Sequence, residues 1–393
     1  LQILKALCDS NHYYSKFSTG NAKTIDTTAR LEYVREALLA FHRKHYQPQH
    51  MTVVLAGPQS LDTLQEWIVQ RFSQITVRDT TPGTSPTEIE QLIDQAAAEA
   101  PPNTLDEPPP PFSSPLDTSH NQLLTVKPLQ SMRKLVLLWS IPTYRDPDTS
   151  PSSFLSHLLG HEGTGTIFGV LQNHGLLSRL TAGPRTKAPD FTLFQVDMEL
   201  TAQGEEHWKQ VVDTVFSYLR MLQQQSPSDL ARIWDEMSRL DQLFFHQTSP
   251  GSVYDYAPNL ADRIVNYGTR KALSAGSMLE ESEQTFPLTQ VMDLIQMLNP
   301  DNCLIERCSE QAWNELTQRN PDGLRREPWY NVEYHVSSID SDSVASWQGH
   351  QTMETPIDKS QLSLPRPNRY IPRSLELCSD LPEEAKQGPR LDK

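Results

Sequence analysis

His157 and His161 stand four residues apart with Glu162 directly after them, the group of side chains in this sequence most able to do chemistry. At that spacing two imidazoles share one helix face and could offer two ligands to a metal. Hydrolytic zinc sites on a helix place a glutamate between the two histidines, where it reaches the metal-bound water. Here the glutamate follows the second histidine, and no clear third ligand accompanies the pair. Metal binding is therefore the weaker reading, and the sequence assigns no catalytic and no metal-ligating residue. The glycines around this helix break leave backbone close to the surface on both sides. The whole stretch from His157 to Pro184 reads as a peptide-docking site.

Such a site needs a helix that stops at the right place. Phe154, Leu155, Leu158 and Leu159 recur on one side of a helix that should end at Gly160, a residue suited to left-handed helix ends. Gly163, Thr164 and Gly165 let the chain restart, and Ile167, Phe168, Val170 and Leu171 mark a second helix ended by Asn173-His174-Gly175. A strand should follow. A second histidine cluster, His42 to His50, includes Arg43 and Lys44, which would repel a cation, so it reads as a charged helix C-terminus. No Gly-rich phosphate loop, no G-x-S-x-G and no Cys/His nucleophile arrangement stands out.

The segment HLLGHEGTGT, its Leu-rich helix and the small residues after it resemble the second domain of the insulysin and nardilysin branch of the pitrilysin-type zinc metallopeptidases. HYYSKFSTGN (His12 to Asn21) and VVLAGPQSLDTLQEWIVQRFSQI (Val53 to Ile75) are similar to the end of that family's first domain. EPWYNVEY (Glu327 to Tyr334) and LSLPRPNRYIPRSLEL (Leu362 to Leu377) resemble the end of the second. The resemblance implies a site remote from the zinc where a peptide's N-terminal end is held. His157, Gly160, His161 and Glu162 match one side of it, and Leu180, Thr181, Ala182 and Gly183 match a strand segment on the other. Relatives tend to carry a paired glycine where this sequence has Thr181-Ala182-Gly183-Pro184, so the details of pairing should differ. Lys16 to Asn21 is expected to brace the catalytic domain.

Family enzymes bind zinc through H-x-x-E-H plus a later glutamate, and the two histidines and the intervening glutamate divide the work of binding metal and activating water. This sequence contains no H-x-x-E-H. By the resemblance, all zinc ligands would lie before Leu1, so the expected function is a fragment of a zinc metalloendopeptidase, inactive alone, that contributes chamber wall and docking site. The alternative is a non-catalytic peptide-binding or assembly subunit of the same fold. Expected partners are peptides, a C-terminal half of the same protein and further copies of it.

The 393 residues suffice for two cores. A net charge of −15 argues against a nucleic-acid surface, which needs a basic stripe. Four cysteines without a C-x-x-C pair indicate a reducing compartment, read here as cytoplasmic. No apolar run approaches the roughly 18–20 residues of a membrane span.

The expected organisation is residues 1–78 as the C-terminal part of a first peptidase-like domain, 79–120 as a Pro-rich acidic linker with a short helix at Ile89 to Ala100, 121–373 as the second domain, and 374–393 as the start of another linker. Periodicity predicts a helix over Asp26 to Tyr46, a strand over Met51 to Ala56 and a helix opened by Ser60 or Asp62. Further strands are expected at Gln122 to Val126, Leu135 to Ser140, Phe191 to Leu200 and Asn302 to Arg307. Helices are expected at Trp208 to Leu222, Leu230 to Phe245 and Leu288 to Leu298. The resulting class is α+β, with an antiparallel-rich sheet covered by helices on one side.

Overall fold

The computed structural model describes residues 2–21, 31–75, 122–144, 151–188, 190–249, 251–277, 286–319, 322–355 and 357–372. The Pro-rich segment, its expected helix, the start of the Asp26 helix and residues 374–393 lie outside them. Three helices come first, α1 (Gln2–Leu7), α2 (Leu31–His45) and α3 (Leu61–Phe72). Seven strands then form one mixed sheet: β1 (Gln122–Val126), β2 (Arg133–Ile141), β3 (Leu177–Lys187), β4 (Thr192–Leu200), β5 (Leu304–Ser309), β6 (Arg325–Arg326) and β7 (Glu333–Ser338). Their spatial order is β3-β4-β2-β5-β1-β7-β6, which makes β3 an edge strand. Every neighbouring pair is antiparallel except β1 with β5. Nine further helices are described: α4 (Pro151–Gly160), α5 (Ile167–Asn173), α6 (Ala202–Glu206), α7 (Trp208–Gln223), α8 (Pro227–Gln247), α9 (Val253–Lys271), α10 (Leu288–Met297), α11 (Glu310–Arg319) and α12 (Ser341–Trp347). The fold is α+β, as the sequence indicates.

Strand β2 is a continuous apolar run because both of its faces are covered. Leu135, Leu137, Trp139 and Ile141 pack under α4, α5, α7 and α10, in a core that takes in Phe154, Leu158, Val215, Phe216 and Ile295. Leu138, on the opposite face, joins Leu124, Leu193 and Leu304 under the N-terminal segment, whose Leu4, Cys8 and Tyr14 complete a second cluster. Helices therefore do not cover one side alone. The chain before Phe17 closes the other face, and polar contacts fix it there: Tyr13 Oη donates to Asp190 Oδ1 at 2.5 Å and His12 Nε2 lies 3.1 Å from Asp190 Oδ2. Phe17 stacks on Trp329 with ring centroids 4.7 Å apart, so the Lys16 to Asn21 segment braces this sheet. The Glu327 carboxylate receives the Trp329 and Tyr330 amides at 2.9 and 2.7 Å, which holds the stacking turn.

The expected strand at Met51 to Ala56 is not one. The residues run without a ladder, because a strand exists only by pairing and no described strand pairs with this segment. Helix α3 does begin at Ser60, whose Oγ accepts the Thr63 amide at 3.3 Å. The buried thiols Cys8 and Cys308 are pushed up, to about 12 and about 11, chiefly by desolvation, and neither is in a disulfide.

Candidate functional site: a helix end against a strand edge

Helix α4 buries Phe154, Leu155, Leu158 and Leu159 and ends at Gly160. Its Ser156 and Gly160, one turn apart, face the edge strand. A methyl group added to Gly160 would lie 3.5 Å from Ala182 N and 3.7 Å from Ala182 Cβ. One added to Gly183, where φ is +152°, would lie 3.2 Å from Ser156 Oγ. The last turn of α4 is thus seated on Ala182 and Gly183, and the two halves of the expected site come together.

The loop that follows is tied by Thr166, the N-cap of α5. Its Oγ1 lies 2.6 Å from the His161 carbonyl and 2.7 Å from that of Gly163. The Gly163 amide donates to His161 Nδ1 at 2.9 Å, which leaves Nε2 to carry the proton of the neutral ring. Gly165, at φ +86°, is overlaid by the segment 361–363, and the Ser363 amide donates to its carbonyl at 2.8 Å. Helix α5 closes on Gly175, at φ +71°, with Leu176 N donating to Leu171 O and Gly175 N to Gln172 O, a Schellman end that aims the chain into β3.

Along β3, Leu180 belongs to the core while Thr181 is exposed. Leu180 can therefore offer a ligand only its backbone. Among the described residues β3 pairs with β4 alone, and Ala182, Gly183 and Pro184 stand opposite Val196, Gln195 and Phe194. Glu162 is exposed at the loop. The His157 and His161 rings meet edge to face, centroids 5.4 Å apart.

Both imidazoles are held below the usual histidine range. Burial is the main cause for each, and His161 adds to it at His157, while Glu236 pulls both back upward and Glu162 does so at His161. Glu236 lies on α8 and has no counterpart in the sequence reading. Nothing in sequence spacing links it to a motif some 75 residues earlier, and only the packing of α8 beside α4, through Trp234 on Phe154 at 5.7 Å, does so.

Depressed histidine values have a sign that can be worked out. Above the ordinary histidine pKa both folded and unfolded chains are neutral, and stability is full. As pH falls, the unfolded chain takes protons first, so stability declines until the depressed folded values are passed. Thermal unfolding followed by circular dichroism is expected to show Tm falling between pH 7.5 and pH 5 through this pair, solvent screening at half-buried His161 limiting the effect. The double variant His157→Gln/His161→Gln should remove that part of the slope.

Among the described residues no group of three His, Cys, Asp or Glu is placed to hold a metal, so zinc does not fit this site. Two surface cavities of about 480 and 410 Å³ lie elsewhere, one beside Trp208 and Met353 and the other beside Arg133 and Glu315. An extended ligand on a strand edge needs no enclosed cavity.

Residues 33–236 match the family model described as the peptidase M16 inactive domain, which is more than half of the chain. The chain belongs to the peptidase M16 family. Residues 245–392 match the middle or third domain of the same family. The peroxisomal insulin-degrading enzyme-like 1 of Arabidopsis thaliana is 28% identical over 380 residues, 96% of this chain and 34% of that protein. The insulin-degrading enzyme of Homo sapiens is 26% identical over 401 residues, 100% of this chain and 34% of that protein. The crystal structure of pitrilysin superimposes with a TM-score of 0.73 at 21% identity, covering 95% of this chain and 35% of that one, which shows the fold. This M16 chain thus spans about a third of the length of the curated relatives it matches. No helix among the described residues is long and apolar enough to cross a membrane.

Proposed function

We propose that this chain is the peptide-anchoring part of a zinc metalloendopeptidase of the insulin-degrading type. The observation that carries the reading is the seating of α4's last turn on the edge of β3. An extended peptide would add to the free edge along Leu180, Thr181, Ala182 and Gly183, and its N-terminal ammonium would meet the C-terminal end of α4. Helix C-termini carry partial negative charge, and His157, Gly160, His161 and Glu162 surround this one. Pro184 supplies no amide, so pairing stops there.

Zinc, bound by residues other than those of this chain, would supply the activated water for hydrolysis. The chain's own work is to bind and orient: it fixes one end of the peptide so that the scissile bond arrives elsewhere at a set distance. A C-terminal half of the same protein, self-association and a cytoplasmic setting belong to the same proposal. The pure chain, supplied with zinc and a fluorogenic peptide, is expected to release no product. Robust cleavage abolished by a chelator would overturn this reading.

A second reading, a non-catalytic peptide-binding or assembly subunit, is favoured by the match of residues 33–236 to a domain described as inactive. The mass and zinc content of the native gene product separate the two. A much longer product with about one zinc supports the peptidase, and a product of this length without zinc supports the subunit.

A further inference from the structure

We infer that the cavity of about 480 Å³ between the start of α7 and α12 is a binding site for a neutral sugar ring. None of its lining residues belongs to the docking edge. Its two walls are tied together before any ligand arrives. Trp347 of α12 donates its indole N–H to the Lys209 carbonyl of α7 at 3.2 Å and stacks on Phe216, ring centroids 6.0 Å apart. Across the same junction Lys209 Nζ donates to Asp340 Oδ2 at 2.6 Å, and the Ser343 amide and hydroxyl hold the Asp340 carboxylate at 2.8 and 2.9 Å. The volume falls within the range of small-ligand sites.

Ser346 is the residue that points to a ligand. It is 4% exposed and lines the cavity, yet among the described residues its Oγ has no hydrogen-bond partner. A helical serine can donate to the carbonyl one turn back, and a buried hydroxyl left without any partner is costly. The cavity is the open space beside it.

The rest of the lining sets the class of molecule. Glu206 and Asp342, both exposed, repel an anion, while Lys209, the cation of the lining, is already paired with Asp340. A cationic ligand is no better served, because Trp208 already carries two cations: the Arg307 guanidinium lies 4.6 Å from its ring centroid and Lys209 Nζ 5.8 Å. Gln210, Gln351 and Thr352 offer amide and hydroxyl groups that both donate and accept. Trp208 and Met353 supply the apolar part of the wall, too little for a lipid. A pyranose complements this lining, since its hydroxyls both give and take hydrogen bonds and its C–H face is apolar.

The test is saturation-transfer NMR on the full chain with the methyl glycosides of glucose, galactose and mannose, and with glucosamine and glucuronate as charged sugars. At least one neutral glycoside should bind saturably with a Kd on the order of 1 mM, the scale for a ligand of that size, and more tightly than either charged sugar. Ser346→Ala should weaken that binding about fivefold, the scale of one neutral hydrogen bond. Thr352→Trp, at an exposed lining position, should fill the cavity and abolish it. Both variants should keep the wild-type circular dichroism spectrum. No saturable signal from any of the three glycosides, a signal that survives Thr352→Trp, or an affinity unchanged in Ser346→Ala would overturn the inference. Tighter binding of glucosamine or of glucuronate would overturn it too, and make the cavity a cation or an anion site.

Discussion

Gly169→Ala is expected to destabilise the protein by about 1–3 kcal/mol, although alanine is the better helix former. Gly169 lies in the first turn of α5, directly against the docking loop. A methyl group there would stand 2.3 Å from the Gly163 carbonyl oxygen, 3.1 Å from its carbon and 3.3 Å from Thr164 Cα. All three are backbone atoms, so no side chain can swing aside. Thr166 grips the same loop through the carbonyls of His161 and Gly163, and the overlying segment meets it at Gly165. The loop would have to lift as a unit and carry His161 with it. Urea unfolding should show a lower midpoint at unchanged slope, and peptide binding should weaken alongside. A variant with wild-type stability would contradict the packing described here.

Lys359→Met should cost more, about 3–5 kcal/mol. Asp213, on α7, is 1% exposed, and Lys359 Nζ bonds its Oδ2. Among the described residues, the other cation beside it is Arg220, 4.0 Å from Oδ1, an oxygen without a hydrogen-bond partner. Removing the lysine strands a buried carboxylate, and that desolvated charge is the source of the loss. It also frees the start of the segment that crosses Gly165 and reaches Glu236. Replacing both partners, as in Asp213→Leu/Lys359→Met, removes the stranded charge and should recover much of the stability. If the double variant is no more stable than Lys359→Met, the pair is not what holds this segment.

Much of the site was legible from the sequence, for local reasons. The restart before Ile167 and the end at Gly175 depend on residues within a turn of one another, and glycine punctuation records them directly, whereas α4 ends at Gly160 without the left-handed conformation expected there, the glycine instead admitting the close approach of Ala182. The alternation of Phe191 to Leu200 and the apolar run of β2 likewise carry their burial on their face. The charge influence of Glu236 on His157 and His161 was not legible, because it depends on two helices packing across a long stretch of chain. The strand expected at Met51 to Ala56 failed for a related reason: Val53 and Leu55 have strand-like chemistry, but a ladder needs a neighbour, and both side chains are exposed. Helix α9 shows the converse. Its 19 residues, interrupted by a kink at Gly268 where φ is +76°, include none that is buried, so their apolar pattern reports no core. The closure of the second sheet face by Leu4, Cys8 and Tyr14 could not be read either, since six-residue α1 carries too short a pattern to name its partner.

The most direct test of the docking account is photocrosslinking of the full chain with a peptide bearing a photoreactive group on its N-terminal residue, followed by mass-spectrometric mapping. The account expects adducts within His157 to Glu162 or Leu180 to Gly183, competed by unlabelled peptide. Adducts confined to other parts of the chain, or labelling that unlabelled peptide does not compete, would contradict it.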